Sequence, residues 1–541
     1  MKRRMMLGAM LGVFLAGFEY VACGAITLPP VLSSHMVLQR EMPVPVWGTA
    51  APNEKVTVSF SPSKSSGQAL QTKTTTAGSN GTWKVWLEPL SASAEPGTMV
   101  ISGESDKKEL SDVLVGEVWV GSGQSNMAMA GAGYTANDEP LKKNIEGGPY
   151  PQLRVIAPGQ GWQESTPAAL RSFSALLFSF GLPLQQDLKV PVGLLVGAVG
   201  GTPSGFWLSQ EAFDSDQSCK GAIAGYAKTY RNDEAVKTYE ANLAKWKQEV
   251  EAAKQKGEAK LPKEPRKPLK AGECRGQVGN LYEKLIRPYM PFAIRGVVWD
   301  QGEAGTAIEG VDQYTLMGAL IRGWRKEWGL NMSFVYVQKP SGGGCAWDAA
   351  EPVTCKAETL IKLPPLVPAD GTSREMHIRI MGYPNTFMVT SSDLGNGIHP
   401  VNKSGYGLRA ARVALGGVYG RAIEIYGPVY KSHKIDGGKV TVTFDHVGKG
   451  LAFKAEAIAA GTGPGVSTLQ GFALAGEKGA FVWADAVIEG NTVVVSSDKV
   501  PQPVSVRYAW ASQHRWANLF NKDGLPALPF RTDGMASVIP K

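Results

Sequence analysis

Val113-Leu-Val-Gly-Glu-Val-Trp-Val120 runs directly into Gly121-Ser-Gly-Gln-Ser-Asn-Met127, and the reading of this junction decides the fold. The first half is nearly continuous in apolar residues, so it reads as a strand buried on both faces rather than one face-to-water strand. Similar runs recur at wide intervals: Val192-Gly-Leu-Leu-Val-Gly-Ala198, Ile294-Arg-Gly-Val-Val-Trp299, Phe334-Val-Tyr-Val337 and Thr386-Phe-Met-Val-Thr390. Helical patterns lie between them, among them Phe173 to Leu188 and Tyr314 to Trp328. Doubly buried strands alternating with helices predict a parallel sheet in a three-layer α/β domain, spanning residues 113–430.

Working outward, both flanks change character. Residues 26–112 carry short alternating runs such as Val56-Thr-Val-Ser-Phe60 and Trp83-Lys-Val-Trp-Leu87, separated by turn clusters. That spacing predicts a small β-sandwich. From 431 to 541 alternation returns in Lys439-Val-Thr-Val-Thr-Phe444 and Val504-Ser-Val-Arg-Tyr508, predicting a second β-module. Within the α/β region, residues 232–256 repeat apolar positions at spacings of three and four (Val236, Tyr239, Leu243, Trp246, Val250, Ala253). We read this as a single helical insert laid on the surface, the alternative being a coiled-coil interface.

The 541 residues have a formal charge of +8, of which Lys2, Arg3 and Arg4 against Glu19 supply +2. The remaining cations are dispersed and accompany no nucleic-acid-binding motif, so no nucleic-acid partner is expected. The basic start precedes an apolar run from Met5 to Phe18 and the small cluster Ala22-Cys23-Gly24-Ala25. This is the layout of a secretory leader, residues 1–25, and it predicts export to the periplasm or medium. Cleavage near Ala25 is favoured over a lipid anchor at Cys23, and no later stretch reaches the length of a membrane span. Past the leader, Cys219, Cys274, Cys345 and Cys355 remain. An even number in an exported chain predicts disulfides, Cys345–Cys355 with Cys219–Cys274 being the simplest pairing. None has CxxC spacing, so no metal site is expected.

In an open parallel sheet, function collects in loops past the carboxyl ends of the strands. Four such loops carry suitable groups. Ser125 stands on a glycine-flanked turn that a helix start follows, but Met127 excludes the GxSxG elbow. Gly197-Ala-Val-Gly-Gly-Thr202 lets backbone amides come close to a ligand. Trp299-Asp-Gln-Gly-Glu303 offers the amide donor of Gln301. Asp393-Leu-Gly-Asn-Gly-Ile-His-Pro400 places His399 where a general base must sit to reach Ser125. Each loop alone is also an ordinary polar turn; the four together are not.

Together these loops resemble the SGNH hydrolases, specifically the sialate O-acetylesterase family of carbohydrate acetylesterases. The carrying residues are Gly123-Gln-Ser-Asn-Met127, Gly200-Gly-Thr-Pro203, Trp299-Asp-Gln-Gly-Glu303, Asp393-Leu-Gly395 and Ile398-His-Pro-Val-Asn-Lys403. Flanking matches are Met36-Val-Leu-Gln-Arg40, Val44-Pro-Val-Trp-Gly48 and Gly524-Leu-Pro-Ala-Leu-Pro-Phe-Arg-Thr-Asp533. The resemblance implies a flavodoxin-like SGNH domain flanked by β-modules. It implies Ser125 as nucleophile and His399 as base, with the Ser125 N–H, Gly200 or Gly201, and Gln301 as the oxyanion hole. No metal or organic cofactor is implied. The chain departs from the family's pattern at Asn396, where an orienting Asp is usual three residues before the His; Asn396 itself and Asp393 are the candidates to orient the base, and a Ser–His dyad rather than a full triad is expected. It also has Gly305 for Asn, Asp300 for Tyr, His377 for Gln, and Gly-Leu-Pro at 181–183, which predicts a kinked helix.

The expected substrate is an O-acetylated glycan: O-acetylated sialic acid first, acetylxylan or another acetylated glycan as the alternative. Tyr134, Trp162, Trp207 and Trp347 are candidates to stack on sugar rings or, more ordinarily, to pack. A reading of another class is a non-catalytic glycan-binding protein with a degenerate hydrolase core. A general lipase or peptidase is disfavoured by the lack of long apolar runs near Ser125.

Overall fold

Branched and aromatic residues with no alternating polar partner form a six-stranded parallel sheet. The computed structural model describes residues 25–63, 66–104, 106–456 and 466–534. Residues 1–24 of the predicted leader, with Cys23, lie outside the described residues. The strands are β1 (Lys107–Gly123), β2 (Tyr150–Ile156), β3 (Val192–Ala198), β4 (Gly296–Asp300), β5 (Ser333–Val337) and β6 (Thr386–Val389). Their order across the sheet is β6-β5-β4-β1-β3-β2, all parallel, with a short antiparallel strand, Gln163–Ser165, at the β2 edge. β1 lies between β3 and β4, so the connections leave it in opposite directions and open a crevice at its carboxyl end.

Each face of the sheet is covered. Trp119, Val298, Val335 and Val337 pack against the helices Ala175–Leu188 and Lys403–Gly417. Alternate residues Val118, Val120, Val297 and Phe334 face the opposite side, where the helix Gln313–Trp328 presents Leu316, Leu320 and Trp324. The first two helices come very close: a Cβ on Gly407 would stand 2.3 Å from Ser179 Cβ. Gly-Leu-Pro at 181–183 lies inside the helix Ala175–Leu188, which is continuous with Pro183 within it. Gly181 is required there by contact, since its Cβ would lie 2.5 Å from Leu194.

The flanking regions are antiparallel β-structure. Lys55–Ser61, Gln71–Thr76 and Ser93–Ser102 pair with one another, and Ser93–Ser102 continues onto the first half of β1. The division expected between residues 112 and 113 therefore falls inside one continuous strand. Glu117, fully buried on β1, fastens this junction. It accepts from Arg40, from Arg295 at 2.8 Å, from Gln39 at 3.2 Å and from Tyr419 at 3.0 Å. Burial opposes its charge, but the two guanidiniums overcome that and hold the carboxyl below the usual range. At the other end, two four-stranded antiparallel sheets share one core that includes Val442, Phe472, Val495 and Tyr508.

The insert forms the helix Asn232–Gln255, mostly exposed, with Val250 and Ala253 buried and Trp246 Nε1 donating to the Pro262 carbonyl at 2.9 Å. Among the described residues, no helix is long and apolar enough to cross a membrane. The disulfide expectation is corrected: Cys219, Cys274, Cys345 and Cys355 are all free thiols. Cys219 is buried in the core below the Gln313–Trp328 helix, and burial pushes its thiol up to about 12. Cys345 is also buried and donates to the Ala517 carbonyl at 3.4 Å, whereas Cys355 lies exposed.

Candidate active site

The carboxyl end of β1 turns where only glycine fits. Gly123 has φ +123°, and a Cβ there would lie 2.2 Å from the Asp300 carbonyl oxygen at the end of β4. Gln124 N–H then donates to that same carbonyl at 2.8 Å. This clasp aims the next residue, Ser125, into the crevice as the first residue of the short helix Ser125–Ala128. A helix's first N–H has no partner within the helix, so it remains free to meet a ligand.

His399 arrives from the far side of the sheet, on the loop between β6 and the helix Lys403–Gly417. Its Nε2 lies 2.8 Å from Ser125 Oγ, bringing together residues 274 apart in the chain. Gly200, in the loop after β3, closes the third side: its Cβ position is 3.4 Å from Ser125 Cβ. Gly201 beside it takes φ +72°, a left-handed turn that glycine adopts freely. The nucleophile, base and glycine loop expected from sequence thus converge on one point.

Three other candidates are placed differently. Gln301 is buried, with Nε2 donating to the Gly305 carbonyl at 2.9 Å and the Thr202 carbonyl at 3.4 Å, while Oε1 accepts from Gln313 at 3.0 Å. Its donors are thus committed to joining two loops rather than facing a developing oxyanion. Asp393 is buried in a pair with Arg409 at 2.8 Å. Asn396 is exposed, donates to Glu358 at 2.8 Å and accepts from the Gly397 N–H at 2.7 Å. Neither orients His399, whose side-chain hydrogen bond among the described residues is the one to Ser125.

Beside Ser125 lies a charged cluster that sequence reasoning missed, with Asp300, Lys339 and Lys403 buried in it. Lys339 reaches Asp300 at 2.7 Å and Glu303 at 2.8 Å. Burial works against the Lys339 charge, but the two carboxylates hold its ammonium above the usual lysine range. Glu303 in turn accepts from Gln124 Nε2 and stands 3.5 Å from Asn126 Nδ2. Lys403 Nζ, also buried, donates to Asn126 Oδ1 at 2.9 Å and lies 4.5 Å from the centre of the Tyr134 ring. Burial lowers its pKa to about 7. His377 completes the surroundings next to Gly302; burial lowers it to about 4, so it is neutral. Glu303 and Lys403 belonged to the quoted motifs, but nothing local marked them as partners of this cluster.

Of the aromatic candidates, Tyr134, Trp162 and Trp207 are buried packing residues. Trp347 remains 37% exposed and lines a cleft of about 400 Å³ with Arg412, Lys522 and Asp523. One group spaced for a cation, His35, Asp112 and Glu164, occurs among the described residues, away from Ser125. Arg154 lies 2.7 Å from Asp112 and 3.8 Å from Glu164, so a guanidinium already balances those carboxylates.

No protein-family model matches the chain. Over 346 residues it is 27% identical to the sialate O-acetylesterase of Rattus norvegicus, a match covering 59% of this chain and 60% of that protein. The human sialate O-acetylesterase is 24% identical over 324 residues, covering 54% of this chain and 52% of the relative. The matched stretch thus spans between half and three-fifths of these relatives' length. A crystal structure of a carbohydrate acetylesterase from Xanthomonas citri superposes with a TM-score of 0.69 at 28% identity, covering 94% of this chain and all of that one. Sequence relatives and structural neighbour together support the resemblance of this chain to the sialate O-acetylesterase family.

Proposed function

We propose that the chain is a carboxylic ester hydrolase that removes O-acetyl groups from carbohydrate, using Ser125 as nucleophile and His399 as base. The observation that carries this is the 2.8 Å contact between His399 Nε2 and Ser125 Oγ at the crevice of the sheet. The names of the relatives favour O-acetylated sialic acid, with acetylxylan or another acetylated glycan as the alternative.

In the proposed reaction, His399 Nε2 accepts the Ser125 hydroxyl proton as Oγ attacks the acetyl carbonyl carbon. The oxyanion is met by the Ser125 N–H and the amides of the Gly200–Gly201 loop, backbone donors each worth about 2–4 kcal/mol. Collapse expels the sugar oxygen, which takes the proton from His399. Water, deprotonated by His399, then attacks the acetyl-enzyme and releases acetate with Ser125 restored. We assign the hole to backbone amides alone, because the Gln301 donors are already occupied. The basic, apolar N-terminal pattern supports export to where glycans are met. The paired sheets at each end are read as β-sandwich modules flanking an SGNH domain.

Acetate release from 9-O-acetylated sialic acid and from acetylated xylan, measured in parallel, tests the reading. Release that vanishes in Ser125→Ala is expected, with the faster substrate naming the glycan. Release that persists in Ser125→Ala would overturn the assignment. Binding of acetylated glycan with no turnover would favour the non-catalytic reading.

A further inference from the structure

The loop that carries His399 is gripped from the nucleophile's side. Asn126, next to Ser125, donates Nδ2–H to the Ile398 carbonyl at 3.1 Å. Lys403 Nζ donates to the Pro400 carbonyl and, at 2.9 Å, to Asn126 Oδ1. The Ile398 carbonyl belongs to the peptide plane that enters His399. The Pro400 carbonyl lies one residue beyond, across a φ that the proline ring already fixes. Holding both leaves the His399 backbone little room to turn.

Among the described residues, neither acidic nor amide neighbour in the His399 loop does this work. Asp393 is taken by Arg409, and Asn396 is taken by Glu358. Loop backbone is otherwise soft, and an imidazole held only by its nucleophile would sample other rotamers. Asn126 and Lys403 are each 1% exposed. Burying an ammonium is costly unless its donors are used, and here they end on the serine's neighbour and on the histidine's neighbour.

We propose that Asn126 and Lys403 form a clamp that positions His399 against Ser125 through the backbone, in place of an acidic third member. Both are positioning residues, and the proposal rests on the Ser125–His399 reading above. Glu303 and Lys339 extend the clamp inward, since Glu303 stands 3.5 Å from Asn126 Nδ2 and 2.8 Å from Lys339.

The test is a double-mutant cycle of Asn126→Ala and Lys403→Met, with kcat and KM for an acetyl ester measured separately. Each single variant is expected to lower kcat by about 10- to 100-fold, the cost of a small misplacement of reacting groups, with KM within about twofold. The double variant is expected to be no worse than the poorer single, because the two act as one unit. Should Lys403→Met not fold, Asn126→Ala alone carries the kcat test, with its melting temperature reported beside it. A kcat within about twofold of wild type in a folded single variant would overturn the clamp, as would losses that multiply in the double. Ser125→Ala, run alongside, separates the two failures. If it abolishes turnover while the clamp variants stay fully active, only the clamp falls; if it stays active, the nucleophile reading falls first.

Discussion

Asn396→Ala separates this site from a conventional triad. By its place in the sequence Asn396 would orient His399, yet its amide donates to Glu358 at 2.8 Å and its carbonyl accepts from the Gly397 N–H. Truncation removes two exposed hydrogen bonds whose partners water can take over, a cost of about 1 kcal/mol. If that entire loss reached the transition state, kcat/KM would fall about fivefold. A residue that truly oriented the base would cost far more, up to about 10⁴-fold in a triad that loses its acid. The assay is initial acetate release at several substrate concentrations, with His399→Ala as the reference for loss of the base, expected at about 10²- to 10⁴-fold. Asn396→Ala should stay within about fivefold of wild type. A fall beyond about 50-fold, in a variant whose melting temperature is unchanged, would refute the reasoning and return Asn396 to the catalytic group.

Two further perturbations probe stability. Glu117→Ala leaves the Arg40 and Arg295 guanidiniums without their shared buried carboxylate, and should destabilise by about 3–5 kcal/mol. A drop in the urea midpoint reports it, and an unchanged midpoint would show the junction between β1 and the N-terminal strands to be held elsewhere. His377 is neutral because burial lowers it to about 4, against about 6.5 in an unfolded chain. Between pH 6.5 and 4 the unfolded chain therefore binds a proton that the folded one refuses. Stability falls as pH drops through that window, by about 3 kcal/mol from this one group. His377→Gln should make the melting temperature less sensitive to pH over that range; an identical acid drop in both proteins would contradict it.

Much of the sheet was legible because its strands are apolar on both faces, a pattern that surface elements do not share. The turn at Gly121–Gly123 and the position of His399 after a strand were legible for the same reason: strand ends in such sheets are where ligands bind. The continuation of β1 back to Lys107 was not, since the charged run Lys107-Lys-Glu109 has none of the apolar character of Val113–Val120 and gives no sign of belonging to the same strand. Charges misled most. Nothing local marks Asp300, Glu303, Lys339 and Lys403 as partners, and only the fold brings them together, with Asp300, Lys339 and Lys403 buried. Gln301 was misplaced because its partners, Gly305, Thr202 and Gln313, are set by loop packing rather than by motif. The even cysteine count suggested bridges, but Cys219 is sunk in the α/β core while Cys355 is exposed.

The central claim is that Ser125 is the nucleophile, and intact-mass spectrometry after treatment with a serine-directed phosphonate tests it most directly. A single adduct that maps to Ser125, forms together with loss of acetate release, and is absent from both Ser125→Ala and His399→Ala is the predicted result. A protein that releases acetate yet takes no label, or takes it on another residue, would contradict the account.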